Sequence, residues 1–323
     1  MNSGTRKSQK GLDWTIVVIV NFLWATQVPI IRLIGDNLGP VTIAFLPIIL
    51  STLLLLPLLI ILTKKHKRRF LWHWSDIKYF IFPGFIGIFV MQFAYTIGAQ
   101  RTLAANAGII TLTIPVFVAI FSSFMLKEKM NIVRIFSFIL AIIGVLFTSV
   151  SDISEANFIQ NEFFVGNLIF LFACICCANY NTYVKKLVDK GYTEIEILVY
   201  NQIVGIIFSI PLLIWLEPFN LQEFLASGKD AILGILGLTI FVYAVSWILF
   251  LYVLKRMDVT QAILGNYLMP FFIALLGIVL LGESITPIMI IGGSIVLIST
   301  LLVTVYENQL LKLLQRRKKK QLT

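Results

Sequence analysis

One recurrence constrains this chain more than any other feature. From Trp14 to Tyr306, runs of about 20 apolar residues follow one another with only short polar breaks between them. A helix of that length crosses the roughly 30 Å hydrocarbon core of a bilayer and satisfies its own backbone there. This ruler predicts ten spans, at Trp14–Ile34, Thr42–Leu62, Ile77–Gly98, Ala104–Leu126, Ile132–Val150, Gly166–Val184, Ile195–Leu216, Ala231–Leu254, Ala262–Leu281 and Pro287–Tyr306. Charged residues are only 13 % of the chain and apolar ones 59 %, against roughly a quarter and a half in soluble domains. So few charges cannot cover a water-facing surface, and the fold class expected is an all-α polytopic membrane protein.

The placement of basic residues tests that count, because cytoplasmic loops retain positive charge. With the N-terminus inside, the cytoplasmic segments hold Arg6, Lys7 and Lys10; the cluster from Lys64 to Lys78; Lys127, Lys129 and Arg134; Lys185, Lys186 and Lys190; Lys255 and Arg256; and Lys312 with Arg316–Lys320. The opposite side keeps Arg32, Arg101 and Lys229, beside Asp36, Asp152, Glu155, Glu162, Glu217, Glu223 and Glu283. A missed span would scramble this alternation, so both termini are expected in the cytoplasm. The net charge of +10 therefore follows from loop retention. No basic face interleaved with aromatics appears, which argues against a nucleic-acid partner. The partners expected are the lipid bilayer and a small-molecule substrate. Oligomeric state does not follow from the sequence.

Other chemistries find little support. Cys174, Cys176 and Cys177 share one apolar run without CxxC spacing or a nearby histidine, so they read as buried thiols and no metal site is expected. His66 and His73 lie in the basic loop without an HExxH pattern, and no paired carboxylates sit at membrane depth. A membrane-embedded enzyme would need such a constellation, and no cofactor is implied. The first apolar run is too long for a signal-peptide core and lacks an A-x-A-like cleavage site, so it is read as a retained span.

The chain also repeats itself. Sliding Arg101–Val150 onto Arg256–Val305 without gaps superposes Arg101/Arg256, Ala107/Ala262, Pro115/Pro270, Phe117/Phe272, Ala119/Ala274, Leu126/Leu281 and Glu128/Glu283. Trp24-Ala25 through Arg32 likewise lines up with Cys177-Ala178 through Lys185. Each half holds five spans, an odd number, so the second half enters the membrane upside down. Lys127-Glu128-Lys129 against Gly282-Glu283-Ser284 carries the matching loss of basic charge, the signature of an inverted-topology repeat. The expected organisation is a cytoplasmic segment 1–13, a first five-helix repeat 14–150, an outer linker 151–165, a second repeat 166–306 and a basic cytoplasmic tail 307–323.

These residues resemble those of a known family. Ala99–Met130 runs from Ala104-Ala105-Asn106-Ala107 through Pro115 to Leu126-Lys127-Glu128-Lys129, and is similar to the fourth span of EamA-type transporters in the drug/metabolite transporter superfamily. Val259–Ser284, with Pro270 and Gly282-Glu283, resembles the same element of the second half, and Trp24-Ala25 resembles the family's tryptophan-containing first span. Cys177 stands where that family usually has a second tryptophan, and the third and eighth spans align only with a gap. The resemblance implies ten helices around a central cavity that moves small metabolites or toxic compounds, often outward, in the plasma (inner) membrane of a prokaryotic cell.

Within the spans, no Asp or Glu falls at mid-depth, so energy coupling lacks a candidate residue and facilitated diffusion fits without further assumptions. Arg32 and Arg101 lie near span ends, from which they can snorkel to water, and Glu128 and Glu283 flank helix ends, where capping or gate closing is expected. What the interior does offer is uncharged. Asn21, Trp24 and Gln27 share a face of the first span, Gln92 and Tyr95 of the third, Cys176, Asn179 and Tyr183 of the sixth, Tyr243 and Trp247 of the eighth; Asn266 and Tyr267 precede Pro270 in the ninth. Amides facing lipid are costly, so these groups should face the bundle interior, either as glue between helices or as substrate contacts. The substrate-binding set expected is Asn21, Trp24, Gln27, Gln92, Tyr95, Asn179, Tyr183, Tyr243, Trp247 and Asn266, with Pro115 and Pro270 as hinges. Such a cavity suits neutral or zwitterionic metabolites, amino acids included. A nucleotide-sugar or lipid-linked sugar translocator of the same superfamily is the alternative, but it needs interior cations for phosphate that these faces lack. Trp72, Trp74, Trp215 and Tyr306 sit near span ends as interface-belt aromatics.

Overall fold

A computed structural model describes residues 3–65, 77–125, 131–148, 162–254, 265–307 and 309–310. In chain order the helices are α1 (Ser3–Ala25), α2 (Gln27–Ile34), α3 (Pro40–Lys65), α4 (Ile77–Gly84), α5 (Met91–Gln100), α6 (Ala104–Thr111), α7 (Ile114–Met125), α8 (Ile132–Thr148), α9 (Glu162–Asp189), α10 (Glu194–Pro211), α11 (Leu221–Ala226), α12 (Lys229–Gly237), α13 (Ser246–Leu254), α14 (Met269–Leu281) and α15 (Pro287–Thr304). No strand occurs among the described residues, which makes this an all-α polytopic membrane protein. Among the described residues, eight helical stretches are long and apolar enough to cross a membrane, and two further apolar helices, Ile132–Phe147 and Asn266–Leu281, are shorter. The second of these opens on a 3₁₀ turn at Gly265–Leu268 just before Pro270, whose missing N–H cannot complete a regular α-turn.

Several spans depart from regular α-helix. Thr26 separates α1 from α2, with Pro29 unable to donate back to Ala25; the Thr26 hydroxyl turns to the Leu23 carbonyl at 2.7 Å. π-helical turns interrupt the third span at Phe85–Val90, the seventh at Leu212–Leu216 and the eighth at Leu238–Val245. A π-turn inserts a residue and rotates the remainder of its helix about the axis, a physical reason why the third and eighth spans resist ungapped alignment. The first helix also reaches back to Ser3, through the segment expected to precede the membrane.

Numbered by the ten spans expected from the sequence, the helices pair in a pattern that maps onto itself when the first five are exchanged with the last five. The fifth packs on the tenth (α8 on α15), the fourth on the ninth (α6 on α14), the second on the seventh (α3 on α10), the first on the eighth (α1 on α13) and the third on the sixth (α5 on α9). Small residues allow these approaches: Ala25, Ala99, Ala104, Ala107, Ala173 and Ala178 are all fully buried in the main core. A second cluster, around Leu59, Phe80, Leu187 and Val199, fills the end of the bundle nearer to Lys65. Large side chains such as Leu53, Ile61, Phe124, Leu233 and Val279 point outward instead. In water that surface would aggregate; lipid is the solvent that suits it. Trp215 and Tyr306 are exposed near helix ends, whereas Trp72 and Trp74 lie outside the described residues.

Candidate functional site

Three helices bring polar side chains to one buried point. Gln27 begins α2, Gln92 follows the π-turn of the third span, and Tyr243 lies within that of the eighth. The Gln27 amide donates to the Tyr243 hydroxyl oxygen at 2.8 Å, and the Gln92 amide donates to the same oxygen. All three side chains are under 9 % exposed. One turn from Gln27, Trp24 meets Trp247 edge-on at 5.5 Å between centroids and Phe250 at 5.0 Å, forming an aromatic wall beside the amides. Five of the ten predicted residues therefore form one neighbourhood: Trp24, Gln27, Gln92, Tyr243 and Trp247.

Tyr95 extends it. Its ring packs 4.6 Å from Phe170, and its hydroxyl is buried without a hydrogen-bond partner, as is the hydroxyl of Thr96. The other four predicted residues lie apart. Asn21 donates to the Val17 carbonyl of its own helix at 2.8 Å, the usual way for a helix-borne amide to satisfy itself, although its Oδ1 has no partner. Asn179 approaches the Met125 sulfur at 3.9 Å across the sixth and fourth spans, with Oδ1 again unpartnered. Tyr183 packs 5.5 Å from Phe82, with the Lys186 ammonium 5.7 Å from its ring, toward the helix end.

Asn266 belongs to a separate small cavity of about 30 Å³, shared with Thr111, Leu112, Pro115 and Tyr267. Pro115 lines this cavity, and the second matched proline, Pro270, directly follows the lining residue Met269. Pro115 leaves the Thr111 carbonyl without its i+4 donor, and α6 ends there; the Thr300 hydroxyl covers the next carbonyl, that of Leu112, at 2.6 Å. Pro270 does the same to the Asn266 carbonyl at the start of α14. Gly108 lies against Pro270 at this crossing, where an added Cβ would sit 3.2 Å from the Pro270 carbonyl oxygen.

Charges gather at the two ends of the bundle. At the end holding Arg101, the Glu283 carboxylate accepts from the Ala104 and Ala105 backbone N–H groups at 2.8 and 3.1 Å and from the Arg32 guanidinium. Arg32 thus pairs with a carboxylate where snorkelling to water was expected, because Glu283 is brought across the bundle end to meet it. Glu217 caps α3 at the same end through Val41 and Thr42, at 2.8 and 3.0 Å. At the opposite end, Glu307 accepts from Arg134 at 2.7 Å and from Asn131. Glu128 lies outside the described residues.

One buried polar cluster is not foreshadowed in the sequence. Asn201 and Gln202 of α10 are under 3 % exposed; Asn201 donates to the Tyr180 hydroxyl at 3.4 Å, and the Thr52 hydroxyl donates to Gln202 at 3.1 Å. Adjacent amides inside an apolar run are the available signal. The family resemblance does not single them out, because the seventh span does not line the cavity that it implies.

Comparison with known proteins agrees with this architecture. The profile of the EamA-like transporter family matches residues 14–150 and again 164–305. An uncharacterized transporter of Archaeoglobus fulgidus is 25 % identical over 292 residues, covering 90 % of this chain and 98 % of that protein. A probable terminal-alkyne amino-acid exporter of Streptantibioticus cattleyicolor is 23 % identical over 291 residues, covering 90 % and 92 %. A chloroplastic WAT1-related protein of Arabidopsis thaliana is 24 % identical, with 92 % and 70 % covered. A solved crystal structure superposes with a TM-score of 0.58 at 16 % identity over 91 % of this chain and 98 % of that one, a likeness of fold. Two matches of one family profile, together spanning nearly all of the apolar helices, make this chain a multi-pass membrane transporter that belongs to the EamA-like transporter family.

Proposed function

We propose that this transporter exports small neutral or zwitterionic metabolites, amino acids among them, by alternating access of two inverted five-helix repeats, with both termini in the cytoplasm. The observation that carries the reading is the convergence of the Gln27 and Gln92 amides on the Tyr243 hydroxyl, beside the Trp24–Trp247 pair. Two donors aimed at one oxygen from two other helices make a site that a ligand oxygen can enter by displacing the tyrosine, exchanging one pair of hydrogen bonds for another. The aromatic wall offers apolar or cationic parts of a small molecule a face to stack on. None of these five side chains is charged, which suits a substrate with little net charge.

The repeat-exchanging helix pairing supports two related halves, and the asymmetry of lysine and arginine between alternate loops supports the orientation. The amino-acid exporter among the relatives supports the substrate class. Pro115 and Pro270 serve as hinges, since both breaks lie at one crossing of the fourth and ninth spans. The remaining predicted contacts, Asn21, Asn179, Tyr183 and Asn266, join the site in states other than the one described, in which several of their polar atoms lack partners. Purified protein in liposomes, loaded with a mixture of labelled amino acids and related metabolites, should release at least one of them faster than empty liposomes. Gln27→Leu should abolish that selectivity at matched protein amounts. Equal leakage from both liposome types across the whole mixture would refute the reading.

A further inference from the structure

We propose that Glu283 and Arg32 are the outer latch of the transport cycle, a contact between the two halves that holds the outer mouth shut and must break each time substrate leaves. The inference rests on the transporter reading and orientation proposed above, and deepens them by naming the groups that gate one face.

The latch is built from three helices. Glu283 follows α14 of the second half; Arg32 lies in the last turn of α2 and Ala104 begins α6, both in the first half. The carboxylate receives the guanidinium and two backbone N–H groups, and its side chain is only 5 % exposed while that of Arg32 is 23 %. Local sequence serves this one side chain. Gly282 takes the left-handed conformation (φ +66°), closing α14 with the Glu283 N–H on the Gly277 carbonyl at 3.2 Å. That turn sends the carboxylate back along its own helix, over Gly277. A Cβ on Gly277 would sit 2.9 Å from the Glu283 carboxylate oxygen and 3.1 Å from the Ala104 Cβ. A larger residue would push both away.

A permanent staple would look different, and the opposite end of the bundle supplies one for comparison. Glu307 also joins the halves, but its partner Arg134 sits on α8, which packs along the length of α15. The Ser299 hydroxyl donates to the Ser137 carbonyl at 2.7 Å within that same seam. Opening there would tear a continuous interface. At the Glu283 end α14 also packs on α6, but α6 ends at the Thr111 break, and the ion pair reaches α2, the helix that carries Gln27, so parting α2 from α14 leads from outside water toward the Tyr243 group. An ion pair and two helix-terminal N–H bonds can be exchanged for water as the mouth opens, whereas a packed apolar seam has no such replacement.

The test reads the mouth directly. Cys174, Cys176 and Cys177 are replaced by alanine and Thr96→Cys is introduced, a buried position one turn beyond Gln92. Reaction with an impermeant thiol reagent added outside the cell is then followed in time. In the parent background labelling should be slow. Glu283→Gln, which keeps an acceptor for the backbone N–H groups but removes the charge, and Arg32→Gln should each speed it about tenfold by shifting the population toward the open mouth. Glu307→Gln should leave the rate unchanged. Melting temperatures of all variants in detergent check folding, and Arg32→Gln leaves the helix cap intact should Glu283→Gln fold poorly. Unchanged labelling in folded Arg32→Gln and Glu283→Gln protein would overturn the latch, as would equal acceleration by Glu307→Gln. Faster labelling with no transport of any metabolite tested would instead sink the proposed substrate and leave the latch standing.

Discussion

The seam between α8 and α15 and the layer around Tyr243 are both buried helix contacts made largely of apolar residues, yet they are packed by opposite rules. In the seam Gly144 lets a neighbouring backbone in so closely that an added Cβ would lie 2.6 Å from Val296 and 2.9 Å from the Gly292 carbonyl oxygen. The Ser299 and Thr300 hydroxyls reach across to carbonyls of the first half, of Ser137 and Leu112. Around Tyr243 the helices are held apart by tryptophan, phenylalanine and glutamine, and the hydroxyls of Tyr95 and Thr96 have no partner. Backbone-to-backbone proximity leaves nothing a ligand could replace. Side chains that meet end to end can trade partners. The difference separates a part that should stay closed through the cycle from one that should open.

The seam should give the largest response to a single added group. Gly144→Leu drives a branched side chain into Val296 and the Gly292 carbonyl, and overpacking of this kind costs about 1–3 kcal/mol, more where backbone stands in the way. Little folded protein should survive in detergent, as judged by size-exclusion chromatography, while Gly144→Ala should lower the melting temperature by a smaller step. A neutral Gly144→Leu would mean that α8 and α15 separate readily, and the contrast would fail.

The layer around Tyr243 should respond in function before stability. Trp24→Ala removes the wall shared with Trp247 and Phe250 and should reduce transport about tenfold, the worth of one lost aromatic contact of ~1.4 kcal/mol, with a small fall in melting temperature. Ile19, exposed on the same helix, serves as the control: Ile19→Ala should leave transport at the parent level. Equal losses in both variants, measured in proteoliposomes at matched protein amounts, would show that the first span is sensitive everywhere and that no site has been located.

The two prolines proposed as hinges should come next in size. Pro115→Ala and Pro270→Ala restore an N–H that can rejoin the Thr111 or Asn266 carbonyl and straighten the helix. Turnover should slow several-fold while substrate affinity changes little, since neither proline belongs to the Tyr243 group. A rise in Kd without slower turnover would place the prolines in the binding site instead.

How much of this is written in the sequence depends on the scale of the feature. The eight long apolar helices are legible because a helix must be apolar for some twenty residues to cross a bilayer, and their order comes with them. The pairing of Trp24 with Gln27 and of Tyr243 with Trp247 on common faces is legible from helical spacing. That those two faces meet each other and Gln92 is not, because the π-turns at Leu238–Val245 and Phe85–Val90, beside Tyr243 and Gln92, leave no pattern in an apolar run. Arg32 reads as snorkelling because its partner lies 251 residues away, a contact only the assembled bundle creates. Asn201 and Gln202 are visible as amides but carry no cue to Tyr180 and Thr52.

Asn179 offers the smallest and most discriminating effect. Its amide nitrogen has only a 3.9 Å approach to the Met125 sulfur, and its Oδ1 is buried with no partner at all. Leaving such a group unsatisfied costs about 1–3 kcal/mol, so the ligand-free protein carries a local destabilisation here that leucine, with the same branching and no polar atoms, would relieve. Asn179→Leu should therefore raise the melting temperature by the equivalent of about 1 kcal/mol. If the sixth span turns this amide toward substrate in another state of the cycle, the same variant should transport more slowly while being more stable. That combination is the mark of a polar group retained for function against the interests of stability. A stabilised variant that transports like the parent would make Asn179 simple packing, on the same footing as the seam, and would confine the substrate contacts to the helices that meet at Tyr243.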